Sequence, residues 1–142
     1  LSTHVTQQIT LQESCEKIAR ELCKNMYDLK PEAFDNFLKE NIKKYESVQC
    51  MYILDKKGKQ VSNTICKLEA IFNPDHPLFK PAVKGADHSL KNYYFNMKIH
   101  KSDSYFTEPY TSFATGSICQ TMSVEFNNFE NESFILCLDF SV

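Results

Sequence analysis

The sequence predicts an α+β domain: an antiparallel sheet of about five strands, a long N-terminal helix, and a loop-and-helix cover over one sheet face. Two patterns and a length predict it. Apolar residues recur at helical spacing near the start, apolar and polar residues alternate in two runs near the end, and 142 residues suffice for a single core. Residues 1–142 therefore read as one domain, with helices over 1–46 and the sheet and its pocket over 47–142.

From Thr6 to Leu29, the residues Leu11, Cys15, Ile18, Leu22, Met26 and Leu29 recur at steps of four and three, the stripe of an amphipathic helix. Pro31 ends it, because the residue before a proline is pushed out of the helical region, and opens the next helix. That second helix carries Phe34, Phe37, Leu38, Ile42 and Tyr45 on one side. Such 3-4 spacing serves either a face laid on a sheet or a dimer seam, and both readings stand. VQCMYIL (48–54) is apolar on both faces and reads as a central strand. Asp55-Lys56-Lys57-Gly58 turns it into the more polar arm KQVSNTI.

Residues 66–86 mix Pro74, Pro81 and Gly85 with Ile71, Phe72 and Phe79, and read as mostly loop with a short helix. HSLKNYYFNMK (88–98) reads as a helix capped by Asp87, with Leu90, Tyr94 and Met97 inward. Residues 105–115 form a loop with an extended piece around Pro109. In 117–126, Ile118, Met122, Val124 and Phe126 oppose Cys119, Thr121 and Ser123. In 133–141, Phe134, Leu136, Leu138 and Phe140 oppose Ile135, Cys137 and Asp139, closing a second hairpin. The apolar side of that hairpin suits the N-terminal helices. Its mixed side would face the 66–115 region across a small-ligand pocket.

Several classes of function lack their usual handle. A net charge of −2 and a single arginine, Arg20, argue against a nucleic-acid partner. Three glycines form no phosphate loop, and no cysteine pair makes a CxxC hook for a metal or redox centre. No apolar run approaches the roughly 18 residues of a membrane span, so no membrane contact is expected within the chain. No cofactor is implied. Cys119 or Cys137 with His88 or His100 would need a base-orienting partner that no local signature provides, so the chain does not read as an enzyme. The six scattered cysteines read as reduced, buried thiols, which favours the cytoplasm; a disulfide framework in an extracytoplasmic compartment is the alternative. The chain starts at Leu1 without a basic, apolar leader and reads as a piece of something longer.

In order, YILDKKGKQVSN, the helix SLKNYYF, FTEPYTSFATGSICQTMSVEF and SFILCLDFSV resemble the Cache superfamily, also called PDC sensor domains, the PAS-like ligand-binding modules of bacterial receptors. The resemblance runs over about residues 48–142, and that family also places a long helix before its sheet. It implies a PAS-like sheet and a small polar metabolite (amino acid, carboxylate or amine) as ligand. It implies no activity in the module itself; an attached or partner output domain, such as a kinase, cyclase, phosphodiesterase or chemotaxis domain, would carry the signal onward. In amino-acid-binding members a helix carries Arg-x-Trp-Tyr, a Pro-Tyr pair follows, and the last strand ends in an inward Asp. The matching positions are Lys91-Asn92-Tyr93-Tyr94, Pro109-Tyr110 and Asp139, with Lys for Arg, Tyr for Trp, and Ala86 where an upstream aromatic would stand.

The residues themselves allow the same set. Asp139 lies on the minority face of an apolar strand, where a carboxylate is costly unless a ligand amine or structural donors meet it. Tyr93, Tyr94 and Tyr110 are rim phenols or core aromatics; Lys91 is a ligand partner or a solvated lysine; Thr121 bonds a ligand or belongs to a polar strand face. Lys91, Tyr93, Tyr94, Tyr110, Thr121 and Asp139 are therefore the candidate ligand-binding residues. The rival reading is a non-catalytic interaction module, a homodimer through the Leu11, Cys15, Ile18, Leu22, Met26 stripe, with no small ligand.

Overall fold

The N-terminal stripe folds as α1 (Thr3–Asn25) in a computed structural model that describes residues 3–67 and 80–142. Only its C-terminal half packs. Cys15, Ala19, Leu22 and, just past the helix, Met26 are buried against the sheet, whereas residues 5–14 are exposed along their whole length. Leu11, expected on the buried stripe, is therefore outside the core, because the sheet ends before the helix does. Pro31 opens a 3₁₀ turn (Pro31–Ala33) that leads into α2 (Phe34–Asn41) and a second 3₁₀ turn (Ile42–Lys44). The fully buried Phe34 meets Phe126 and Phe134 edge-on, with ring centroids 6.3 and 5.1 Å away. Asp35 ties α2 down by accepting the Asn63 backbone N–H at 2.8 Å and its side-chain amide at 2.9 Å.

The strands are β1 (Val48–Asp55), β2 (Ile65–Cys66), β3 (Ser104–Phe106), β4 (Tyr110–Thr111), β5 (Ile118–Asn127) and β6 (Ser133–Ser141). They form one antiparallel sheet in the order β2-β1-β6-β5-β3, with β4 also paired to β5. The alternation read in the two long C-terminal strands divides the core. Met122, Val124, Phe126, Phe134, Leu136, Leu138 and Phe140 face α1 and α2, joined by Met51 and Ile53 of β1. The opposite face carries Tyr52, Leu54, Ile135 and Cys137 against Tyr93 and Met97 of α3 (Asn92–Ile99).

Four expectations change. The helix after Asp87 starts later, because the Asp87 carboxylate accepts the Ser89 N–H at 2.9 Å in a local turn and the chain enters α3 only after Lys91. That delay rotates the inward face: Tyr93 and Met97 are buried, and Leu90 is 87% exposed. The arm after Gly58 is mostly irregular, held by a Leu54–Gln60 bridge and the two residues of β2. The cysteines are not all free: Cys50 and Cys66, direct partners across β1 and β2, form a disulfide, while Cys15, Cys23, Cys119 and Cys137 are buried thiols. The short helix expected within 66–86 falls largely outside the described residues.

The turn after β1 forms as read. Asp55 accepts the N–H groups of Lys57 and Lys59 at 2.8 and 3.0 Å, and Gly58 takes φ +89°. A Cβ at Gly58 would stand 3.0 Å from the Ser89 backbone, so this turn can press against the approach to α3 only as glycine. The Gly58 carbonyl accepts the His88 N–H at 2.8 Å, and His88 is thereby fixed over the sheet.

Candidate ligand pocket

Between the mixed face of the sheet and the cover lies a cavity of about 180 Å³. Tyr52 and Asp139 come from the sheet, Tyr110 from β4, Tyr93 from α3 and Lys91 from its N-terminal cap; His88, Phe113, Lys80 and a second carboxylate, Asp87, are among the rest of the wall. Asp139 is 3% exposed. Its Oδ1 accepts the Thr121 hydroxyl at 2.7 Å and the Tyr52 hydroxyl at 3.1 Å. Because the one Thr121 proton goes to Asp139, the Tyr110 hydroxyl, 2.5 Å from Thr121 Oγ1, is the donor in that pair. One phenol and one threonine thus converge on one carboxylate oxygen, and a second phenol, Tyr110, reaches it through the threonine. Among the described residues no cation pairs with it, and Oδ2 accepts no hydrogen bond. Burial pushes the Asp139 carboxyl up to about 6, a rise that its two hydrogen bonds moderate.

A second polar chain runs along the cavity wall. The Gln60 amide donates to Thr64 Oγ1 at 2.9 Å and to the Ala82 carbonyl at 3.2 Å, which turns its own carbonyl oxygen toward His88 Nε2, 2.7 Å away. Nε2 therefore carries the proton, Nδ1 is the acceptor, and the Tyr93 hydroxyl donates to it at 2.5 Å. Burial and the nearby Lys91 charge hold His88 down to about 4, so the imidazole is neutral at physiological pH. Its ring stacks on Tyr52 with centroids 5.4 Å apart. Burial raises the phenols of Tyr52, Tyr93 and Tyr110 well above their ordinary value, and all three remain hydrogen-bond donors. Lys91 stands at the mouth with its ammonium 4.3 Å from the centroid of the Phe113 ring.

Four of the six candidate residues, Lys91, Tyr93, Tyr110 and Asp139, line this one cavity. Thr121 sits behind the wall, where it relays Tyr110 to Asp139. Tyr94 does not join them: one residue along the helix from Tyr93, it turns away, and its hydroxyl donates to the Lys56 carbonyl at 2.8 Å. Sequence reasoning missed Tyr52 and Gln60. Tyr52 lies in a strand apolar on both faces, and its meeting with Asp139 depends on the pairing of β1 with β6. His88 drew notice as a general base, a role that its low basicity and closed hydrogen bonds do not suit. Among the described residues no group of three His, Cys, Asp or Glu is placed to hold a metal ion.

The α+β arrangement, a long N-terminal helix on one face of the antiparallel sheet and a cavity under a loop-and-helix cover on the other, is a fold seen in solved structures. The chain has the fold of the sensory domain of the Campylobacter jejuni chemoreceptor Tlp3 solved with isoleucine bound, at 14% identity and a TM-score of 0.69, covering 96% of this chain and 54% of that one. It is also similar to the ligand-binding domain of Mlp24 solved with asparagine (16% identity, TM-score 0.63, 98% and 53% covered). A third likeness is to the Bacillus subtilis YkuI protein, which has an EAL domain (19% identity, TM-score 0.61, 99% and 35% covered). The chain spans about half or less of the length of these structures. No family profile matches it, and no curated protein matches it in sequence.

Proposed function

We propose that this domain is the ligand-binding sensory module of a bacterial signal-transduction protein and that its ligand is a small amine-bearing metabolite, an amino acid first among them. The observation that carries the reading is Asp139: a buried carboxylate that faces a cavity and takes two hydroxyl donors on Oδ1, with none on Oδ2 among the described residues. A ligand ammonium supplies the cation that this group lacks among the described residues. Lys91, at the mouth of the same cavity, is the partner for a ligand carboxylate, as a point charge rather than the two-pronged fork of an arginine. A cavity of about 180 Å³ lies below the 300–1,000 Å³ usual for drug-sized ligands, which favours a compact metabolite.

The module has no catalytic role in this reading; an output domain in the same or a partner chain receives the signal. Its place is extracytoplasmic rather than cytoplasmic, supported by the Cys50–Cys66 disulfide and by the extracellular domains among its structural neighbours. Binding shifts the equilibrium between conformations only as far as the ligand prefers one of them.

A thermal-shift screen of amino acids, short carboxylates and simple amines tests the assignment, since a ligand of the folded state raises the melting temperature. The expected hits carry a primary amine, and Asp139→Ala removes the shift while the variant still unfolds cooperatively. Hits confined to carboxylates without an amine, or unaffected by Asp139→Ala, would sink the reading. The Leu11, Cys15, Ile18, Leu22, Met26 stripe is no free dimer seam, since Cys15, Leu22 and Met26 are buried in the domain's own core; a homodimer through the exposed part of α1 around Ile9 and Leu11 would be read by sedimentation of the free domain.

A further inference from the structure

The row of side chains that holds Asp139 runs on into the disulfide. Thr121 pairs directly with Asp139, Asp139 with Cys50, and Cys50 with Cys66, so the four stand side by side across the mixed face of the sheet. Direct cross-strand neighbours have Cβ atoms about 4.5–5.5 Å apart. Cys50 is therefore next to the carboxylate on the side away from Thr121. Reduction sets an S–H donor there, beside a group whose Oδ2 accepts no hydrogen bond among the described residues.

The other half of the disulfide reaches the opposite wall of the cavity. Two residues before Cys66, the Thr64 N–H donates to the Ala82 carbonyl at 3.2 Å, and the Thr64 hydroxyl oxygen accepts the Gln60 amide at 2.9 Å, the bond that aims the Gln60 carbonyl at His88 Nε2. β2 has only the pairs Cys50–Cys66 and Met51–Ile65, so the cross-link does much of the holding. Anchors bracket this stretch: the Ser62 hydroxyl accepts the Ile53 N–H at 2.9 Å, and Lys67 donates its N–H to the Gln49 carbonyl at 3.0 Å and its ammonium to the carbonyls of Tyr45 and Glu46. Opening the disulfide frees residues 63–66 between two fixed points, not the whole edge of the sheet. Cys50 is fully buried, whereas Cys66 is half-buried and is the sulfur that a thiol from solvent can reach. Beside Cys50, in the bulge of β1, the Gln49 side-chain oxygen is buried without a hydrogen-bond partner among the described residues, so this end of the ladder is not fully bonded in the oxidised form.

We infer that Cys50–Cys66 is a thiol-exchange site through which the domain reads the thiol–disulfide poise of its surroundings, with dithiols as the reacting class and independently of any small molecule in the cavity. A dithiol's thiolate attacks Cys66 Sγ, the Cys50–Cys66 bond breaks, and Cys50 leaves as a thiolate that takes a proton from water. The reagent's second thiol then displaces Cys66 from the mixed disulfide and closes the reagent's own disulfide, and Cys66 is protonated in turn. Two electrons and two protons pass from the dithiol to the domain. In the reduced form Thr64 gives up its hold on the Gln60 amide, Gln60 turns, and His88 loses the acceptor that keeps its proton on Nε2.

The test is dithiothreitol on the folded domain without denaturant, read by quenched thiol counting and by the NMR spectrum of the histidine ring nitrogens. The expected result is a rise from four thiols to six with cooperative unfolding retained, and a His88 signal that moves from the Nε2–H tautomer toward a mixture of both, reversed by oxidised glutathione. Cys50→Ala combined with Cys66→Ala is expected to show the mixed His88 signal from the start and to ignore the reductant. A disulfide that opens only as the domain unfolds, six thiols before any reductant is added, or a wild-type His88 signal untouched by reduction overturns the exchange site. So does a double variant whose His88 signal still answers to dithiothreitol.

Discussion

Burial holds the Asp139 carboxyl at about 6 against an ordinary 3.8, so between those values the folded domain keeps a proton that the unfolded chain has released. The sign follows: the folded state binds more protons, and stability falls as pH rises through that window. At neutral pH the ionised Asp139 costs the ligand-free domain on the order of 3 kcal/mol. Asp139→Asn is therefore expected to raise the stability of the free domain at pH 7.5 by about 1–3 kcal/mol in urea unfolding, and to flatten the wild-type loss between pH 4 and 7. A variant less stable than wild type at pH 7.5 would mean that the carboxylate is a structural anchor. His88 slopes the other way: with its basicity lowered to about 4, it contributes stability that is present above about 6.5 and lost as pH falls. The comparison must therefore be made variant against wild type, not on the wild-type curve alone. Asp139 was legible in the sequence, because a carboxylate on an alternating strand declares which face it occupies. Its partner Tyr52, 87 residues away, was not, since no local pattern encodes which strands become neighbours.

Two kinds of element behave differently. The long strands β5 and β6 carry their own instructions, nine residue pairs in unbroken register from Cys119–Ser141 to Asn127–Ser133, and their alternation alone assigns each side chain to a face. Elements bounded by side-chain bonding were misplaced. The Asp87 carboxylate serves a turn rather than a helix cap, and four residues of delay move Tyr93 into the pocket and Leu90 out of the core. β2, two residues long, has too little pattern to read, and with it went the pairing of Cys50 with Cys66. That disulfide closes a loop with a sequence separation of 16, which in the chain-entropy account stabilises the fold by about 3 kcal/mol. Thiol titration of the unfolded, unreduced protein is expected to find four thiols, and Cys66→Ser to lower stability by about 2–4 kcal/mol. Six titratable thiols would return the cysteines to the reduced reading and remove the disulfide as support for an extracytoplasmic location.

At the scale of the whole molecule, the layer order was legible because one face of each long strand is apolar and needs a helical cover, while the other mixes hydroxyls, two thiols and a carboxylate. The reach of α1 was not legible, since its apolar stripe continues past the edge of the sheet that would bury it. Residues 5–14 being exposed, deletion of residues 1–10 is expected to change unfolding free energy by less than about 1 kcal/mol while abolishing any self-association through that half. Loss of cooperative unfolding in the truncated chain would show that the projecting half belongs to the folding unit. The strand order has a kinetic consequence of its own. β6, the latest of the described strands, lies between β1 and β5, so β1, which has only the two residues of β2 beside it on its other edge, finds its long partner some 85 residues downstream, as in the pairing of Tyr52 with Cys137. During synthesis most of the apolar length of β1 must wait without its long partner until that strand has left the ribosome, which makes the nascent chain a natural client for chaperones.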